Sequence, residues 1–247
     1  VMVLDRPNPL GGEVAEGEAL DLAYQSFVGR AAIPMRHGLT IGEMALYCNE
    51  VLGIGCEVQV VKMHNWQRRM LWTDTQCAWV PPSPNLPRFE GTLVYPGQVL
   101  LEGTNLSEAR GTTTPFEQFG APFVDARQLR DALPLIEGAA LRTITFEPTF
   151  QKWQGKPCQG LFLHVTDART FRSYRATLLI LREMRRLYGD RFAWNDPPYE
   201  YEETLMPIDI LTGSTRVREL VDGNGDDAEL IALSNAPADW WQRVAGS

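Results

Sequence analysis

The stretch LTIGEMALYCNEVLGIG, residues 39–55, is the clearest helix in the sequence. Thr40 and Glu43 have the spacing of a capping box, in which each side chain bonds the backbone N–H of the other residue. Apolar residues then recur at helical spacing, and Gly53 suits the turn that ends a helix. The sequence therefore predicts a helix between Thr40 and Gly53.

Two apolar runs flank this helix. Val1–Leu4 ends at Asp5 and Pro7, as expected of a parallel strand that is buried on both faces, and EVQVVKM, residues 57–63, is the next strand. A strand, a helix and a strand in this order predict an α/β layer. Polar residues just after such a strand lie where open α/β sheets bind ligands.

A proline-rich segment divides the chain. VPPSPNLPRFEG, residues 80–91, contains four prolines and is typical of a rigid connector. We therefore predict one unit over residues 1–85 and a second, α+β unit over residues 86–247.

The second unit contains two clear strands and one clear helix. LRTITFEP, residues 141–148, and CQGLFLHVTD, residues 158–167, are typical of strands, and residues 173–190 are typical of an amphipathic helix that ends at Gly189. Tyr174, Leu178, Leu181, Met184 and Tyr188 form the predicted buried stripe. Arg182, Arg185 and Arg186 form the predicted solvated face.

The composition restricts the class of function. The chain has 247 residues, 44% of them hydrophobic, and a formal net charge of −8. This charge argues against nucleic acid and anionic membranes as partners, and no apolar run is long enough to span a membrane. The four cysteines and three histidines lack metal-ligand spacing, so we expect neither a metal nor a cofactor.

Three polar clusters are candidates for a functional site. In DRPNP, residues 5–9, Arg6 and Asn8 either form a strand-end turn or face a cleft. In PMRHGLTIGE, residues 34–43, Arg36 and His37 precede a helix N-terminus, where backbone N–H groups and a guanidinium can hold an anion together. Both clusters also have a purely structural interpretation.

The third cluster is LLEGTNLSEARGTTTPFEQFGAP, residues 100–122. It follows an apolar run, which we interpret as a strand end, and we expect ligand hydroxyls to satisfy its polar groups. The structural alternative is that Glu102 pairs with Arg110 while Asn105 or Ser107 caps a helical turn. Trp66, Trp72 and Trp79 either stack on a sugar or pack in the core.

A series of motifs is identified as characteristic of one family. VLDRPNPLGG, SFVG, IPMRHGLTIGE, VVKMHNW, PSPNLP, YPG, EGTNLSEARGTTTPFEQFGAP, CQGLFLHVTD and IDILTGS occur in this order over nearly the whole chain. Together they closely resemble the NamZ-type exo-β-N-acetylmuramidases. The resemblance implies a Rossmann-like domain, here its C-terminal part in residues 1–85, followed by a smaller α+β domain, with the active site in the cleft between them.

The implied activity is release of N-acetylmuramic acid from the non-reducing end of peptidoglycan fragments, in the periplasm or outside the cell. The resemblance also implies that an N-terminal part with a PEHG-type acidic motif is absent from this sequence and that the chain by itself is inactive. The competing hypotheses are a non-catalytic peptidoglycan-binding module and an esterase that uses Ser107 with His37.

The implied chemistry assigns roles to residues of the clusters. Glycoside hydrolysis uses two carboxyl groups, and Glu102 and Glu108 are the catalytic candidates in this chain. Arg36 or Arg110 is the expected partner of the lactyl carboxylate of muramic acid. The predicted substrate-binding residues are Arg6, Asn8, Arg36, His37, Thr104, Asn105, Ser107, Arg110 and Thr112.

Overall fold

The computed structural model describes residues 1–223 and 225–245. The strands are β1 (Met2–Leu4), β2 (Glu16–Ala19), β3 (Pro34–Arg36), β4 (Gln59–Val61), β5 (Gln118–Ala121), β6 (Ala139–Phe146) and β7 (Cys158–Val165). The helices are α1 (Ile41–Val51), α2 (Phe89–Gln98), α3 (Ala126–Ala132), α4 (Ser173–Tyr188), α5 (Pro207–Thr212), α6 (Arg216–Asp222), α7 (Asp227–Ala232) and α8 (Trp240–Ala245). The fold is mixed α/β.

The N-terminal part contains a parallel pair of strands joined through α1. β1 lies parallel to β4, with Met2 opposite Gln59 and Leu4 opposite Val61. α1 begins with the predicted capping box, because Thr40 accepts from the Glu43 N–H while the Glu43 carboxylate accepts from the Thr40 N–H. An antiparallel ribbon of β2 and β3 stands between β1 and α1 in the sequence.

The prediction that β1 is buried on both faces is wrong. Val1 is 74% exposed and Leu4 is 57% exposed. Among the described residues β1 pairs with β4 alone. The faces of a strand are buried only by elements that pack on them, and in the described part of the chain Val1, Met2 and Leu4 are left at the surface.

The C-terminal part is built on an antiparallel sheet in the order β5-β7-β6. The predicted strands at residues 141–148 and 158–167 correspond to β6 and β7, which pair from Ala139 opposite Val165 to Phe146 opposite Cys158. The main hydrophobic core joins this sheet to α2, α3 and α4.

The apolar run before residue 100 is helical, so its interpretation as a strand end is wrong. Residues 89–98 form α2, and a 3-10 turn continues over Val99–Gly103. α2 lies close to α4, because Gly97 donates its N–H to the Ser173 hydroxyl at 2.8 Å and Gln98 donates to Thr177 at 2.7 Å. Tertiary packing thus overrides a local sequence that contains Pro96 and two glycines.

α4 confirms the predicted amphipathic helix. Its five predicted core residues are buried, and Gly189 follows the last turn with a positive φ of 51°. Arg182, however, does not lie on a solvated face, because its side chain is only 2% exposed. It donates to the Gly223 carbonyl at 2.9 Å and lies 3.4 Å from Asp227, so neighbouring helices supply its partners.

Buried contacts join residues on the two sides of the proline-rich segment. Glu16 in β2 accepts from Arg36 at 2.7 Å and from the backbone N–H of Tyr174 in α4 at 3.1 Å. Trp240 in α8 packs edge-on against Tyr47 in α1, with ring centroids 5.4 Å apart. The β2–β3 ribbon and α8 therefore tie the N-terminal part to the rest of the chain.

Across the ranges 1–223 and 225–245, none of the helices has both the length and the apolar character that a membrane crossing requires.

Candidate active site

The motif at residues 100–122 is the centre of a set of ion pairs and hydrogen bonds, here called the glutamate network. It consists of Glu102, Glu108 and Arg110 from the motif, together with Lys152 and Tyr199 from elsewhere in the chain. Arg110 donates to Glu102 and, at 2.9 Å, to Glu108. Lys152 pairs with the other Glu108 oxygen at 2.9 Å. The Tyr199 hydroxyl donates to the second oxygen of Glu102. Three of the four carboxylate oxygens therefore accept hydrogen bonds, and the fourth, Glu108 Oε2, is in ion-pair contact with Lys152 without a hydrogen bond.

Burial differs between the two carboxylates. The side chain of Glu108 is 2% exposed and that of Glu102 is 12% exposed. Burial lowers the pKa of Lys152, and the adjacent Glu108 carboxylate opposes that shift. Burial and the Glu102 charge both raise the pKa of Tyr199, so this phenol keeps its proton and acts as a hydrogen-bond donor.

The uncharged polar residues of the motif bond mainly to nearby protein groups. The Thr104 hydroxyl donates to the Leu101 carbonyl, and the Ser107 hydroxyl accepts from the Ala109 N–H. Asn105 links to residues 191 and 193, and Thr112 bonds the Ala109 carbonyl and Gln118. The structure thus confirms the predicted Glu102–Arg110 pair, and the protein itself satisfies groups for which we expected ligand hydroxyls.

Arg36 and His37 also have protein partners. Arg36 is buried, where it bonds Glu16 and the Leu10 carbonyl at 3.0 Å. The His37 ring accepts from the Leu39 N–H at 3.0 Å. Burial lowers the pKa of His37 to about 4, with Glu43 opposing the shift, so the ring is neutral at pH 7.

Arg6 and Asn8 differ in their surroundings. The Asn8 amide donates to the Leu39 carbonyl at 3.0 Å and its oxygen accepts from the Leu10 N–H, as in the predicted strand-end turn. Arg6 is exposed and donates to the Asp5 carbonyl at 2.9 Å. Arg6 also lines a cavity at the carboxyl ends of β1 and β4.

A cavity of about 740 Å³ lies at the carboxyl ends of β1 and β4. Residues 4–7, which follow β1, and residues 61–66, which follow β4, line it together with residues 70 and 74–77. Its volume is in the range of small-molecule sites, and its position is the one that parallel sheets use for ligands. Hereafter we call it the strand-end cavity.

The sequence reasoning missed several residues of the strand-end cavity. Lys62, His64 and Asn65 were not among the predicted site residues, although Lys62 lies at the end of the predicted strand at residues 57–63 and the other two directly follow it. The strand-end argument that selected Arg6 applies equally to them. Trp66 also lines the cavity, whereas Trp72 and Trp79 pack edge-on against each other at 5.4 Å.

Within the described ranges, no group of three or more His, Cys, Asp or Glu side chains is arranged to hold a metal ion. The four cysteines are free thiols.

Two family models match consecutive parts of the chain. Residues 1–90 match the N-terminal model of the exo-β-N-acetylmuramidase NamZ, and residues 93–245 match its C-terminal model. The chain belongs to this family. The resemblance drawn from the sequence motifs is confirmed.

Individual relatives support the same family assignment. The peptidoglycan β-N-acetylmuramidase NamZ of Bacillus subtilis (strain 168) is 46% identical over 235 residues, which cover 94% of this chain and 55% of the relative. The chain therefore spans about half the length of that protein. A crystal structure of a DUF1343 family protein from Bacteroides fragilis has a TM-score of 0.84 and 28% identity, covering 99% of this chain and 65% of the other. A second such protein from that species has a TM-score of 0.66 and 25% identity, with coverages of 99% and 62%.

Proposed function

We propose that this chain is part of a glycoside hydrolase that releases N-acetylmuramic acid from the non-reducing end of peptidoglycan fragments. The observation that carries the proposal is the 46% identity, over 94% of this chain, to a protein named as a peptidoglycan β-N-acetylmuramidase. Membership of the same family in both the N- and C-terminal parts supports it.

We further propose that residues 1–85 belong to a Rossmann-like domain and residues 86–247 to an α+β domain. The parallel pairing of β1 and β4, connected through α1, supports the first assignment, because parallel strands require such a crossover. The antiparallel β5-β7-β6 sheet supports the second.

The catalytic roles of Glu102 and Glu108 remain predictions, and the geometry favours different roles for them. Glu108 is almost completely buried between Arg110 and Lys152, contacts that suit a fixed anion holding the motif together. Glu102 is more exposed, and its partners Arg110 and Tyr199 suit an ionised carboxylate that stabilises positive charge on the sugar. Of the two, Glu102 is our candidate for direct action.

The test is hydrolysis of a chromogenic N-acetylmuramide by the full-length protein of which this chain is a part and by its Glu102→Gln variant. Loss of a carboxylate that acts in the transition state is expected to lower kcat/KM by about 10²-fold or more. Glu147→Gln, at an exposed glutamate, is the matched control and should leave kcat/KM unchanged.

Two results would contradict these assignments separately. Full activity in Glu102→Gln would remove Glu102 from catalysis while leaving the muramidase proposal intact. Binding of the muramide without turnover by the full-length protein of which this chain is a part would contradict the hydrolase and favour a binding module.

A further inference from the structure

The strand-end cavity contains two cations without a carboxylate partner. Arg6 and Lys62 both line it, and neither forms an ion pair with any residue that the structure describes. One guanidinium N–H of Arg6 bonds the Asp5 carbonyl, which leaves further donors of that group free for a ligand.

The acidic residues of the same cavity are already engaged. The Asp5 carboxylate accepts from the Arg6 N–H, the Thr40 hydroxyl and the Gly42 N–H, at 2.8–3.0 Å. The Asp74 carboxylate pairs with Arg169 at 3.0 Å and accepts from the Leu71 N–H. Cationic groups are thus available to a ligand here, whereas the carboxylates are occupied.

Arg36 and Arg110 were expected to bind the substrate carboxylate. Unlike Arg6 and Lys62, both are already paired with carboxylates of the protein. Arg36 is paired with Glu16 in a buried site, and Arg110 is shared between Glu102 and Glu108. At either arginine a ligand carboxylate would lie beside an internal carboxylate of the same charge. Arg6 and Lys62 have no such carboxylate paired with them among the described residues.

Trp66 provides an apolar surface beside these cations. It lines the cavity, and its indole N–H is buried with no acceptor in the described chain. An indole packs against the apolar face of a sugar ring. His64 and Asn65 add polar groups at the same wall.

We propose that the strand-end cavity binds an N-acetylmuramyl residue and that Arg6 and Lys62 hold its lactyl carboxylate. The inference rests on the proposed function, which supplies the sugar. It makes Arg6 and Lys62 the residues that distinguish N-acetylmuramic acid from neutral N-acetylglucosamine.

The test compares three ligands by isothermal titration calorimetry on the full-length protein of which this chain is a part: N-acetylmuramic acid, its methyl ester and N-acetylglucosamine. We expect the acid to bind about tenfold more tightly than the ester, because hydrogen bonds to charged groups contribute about this factor. Arg6→Gln and Lys62→Gln are expected to bring the ratio close to one and to leave ester affinity unchanged.

Matched controls are Arg127→Gln and Lys156→Gln, at exposed cations outside the cavity, which should retain the full ratio. Raising the salt concentration should lower the ratio in the unsubstituted chain, because the cations are exposed. Equal binding of acid and ester, absence of acid binding, or an unchanged ratio in both cavity variants would overturn the inference.

The outcome is separable from that of the muramidase proposal. Hydrolysis of muramides with an unaltered acid-to-ester ratio in Arg6→Gln and Lys62→Gln would refute the carboxylate site alone. Acid-selective binding that these variants abolish, without hydrolysis by the full-length protein of which this chain is a part, would refute the hydrolase alone.

Discussion

His37 is a neutral side chain held by the backbone beside the start of α1. Its pKa is lowered to about 4 from the usual 6.5, because burial disfavours the imidazolium. The ring nitrogen that would take the proton already accepts from the Leu39 N–H. Protonation therefore costs the folded state both a hydrogen bond and a desolvated charge.

The pH dependence of stability follows from this shift. Between pH 6.5 and 4 the unfolded chain binds the His37 proton and the folded chain does not, so the free energy of unfolding falls as the pH falls. The contribution is at most about 3 kcal/mol and is constant below pH 4. Urea denaturation at pH 4, 5, 6 and 7 measures it as the difference between the unsubstituted chain and His37→Gln.

The control for this measurement is His64→Gln, because His64 is exposed. That variant should unfold at the same urea concentration as the unsubstituted chain at pH 7, because substitutions at exposed positions have little effect on stability. Parallel curves for His37→Gln and the unsubstituted chain would show that His37 does not titrate as described.

Only some of the contacts in the glutamate network could be predicted from the sequence. Glu102 and Arg110 are eight positions apart in one motif, so their pairing could be expected from the sequence. Lys152 donates to the Thr104 carbonyl, which lies 48 residues before it in the sequence. Tyr199 donates to Glu102, which lies 97 residues before it. No local pattern marks such partners, because the tertiary fold alone brings them together.

At the scale of elements, Gly97 sets how closely α2 approaches α4. A Cβ atom at this position would lie 2.0 Å from the Ser173 carbonyl oxygen. Gly91, in the same helix, has its nearest neighbour for such an atom at 3.6 Å, which is ordinary contact. The two glycines therefore form a matched pair for a substitution experiment.

Gly97→Ala is expected to destabilise the protein by about 3 kcal/mol, because two helices must move apart. Gly91→Ala is expected to stabilise it by up to about 1 kcal/mol, because alanine favours the helix. The midpoints of urea denaturation measure both. Equal effects of the two substitutions would contradict the close packing of α2 on α4.

Elements with complete local signals were predictable from sequence, and α2 was not. α1 combines a capping box, helical spacing and a terminal glycine, and α4 has a long buried stripe with Gly189 at its end. α2 contains Gly91, Pro96 and Gly97, which individually disfavour a helix. Its stability comes from contacts with α4, and sequence patterns do not report such contacts.

At the scale of the whole molecule, the β2–β3 ribbon links the two sides of the proline-rich segment through Glu16. This carboxylate accepts hydrogen bonds from both Arg36 and the Tyr174 N–H. Glu16→Gln is expected to lower the free energy of unfolding by about 3 kcal/mol, because it leaves a buried guanidinium without its counter-charge. The matched control is Glu18→Gln, whose pair with Arg216 is exposed and contributes less than about 1 kcal/mol.

The measurement follows thermal unfolding by tryptophan fluorescence and by far-ultraviolet circular dichroism. Both signals should shift together in Glu16→Gln, since the linked parts unfold as one unit. Two separated transitions in the unsubstituted chain would contradict this linkage.

The cysteines have unequal access to solvent, and this has a use in chemical labelling. Cys158 is buried, with its pKa raised to about 11 by burial, and burial also raises the pKa of Cys48. Cys77 is exposed and lines the strand-end cavity. Because thiol reagents attack an accessible thiolate, a maleimide dye will favour Cys77, and a fluorescent reporter can be placed beside the cavity without altering the sequence.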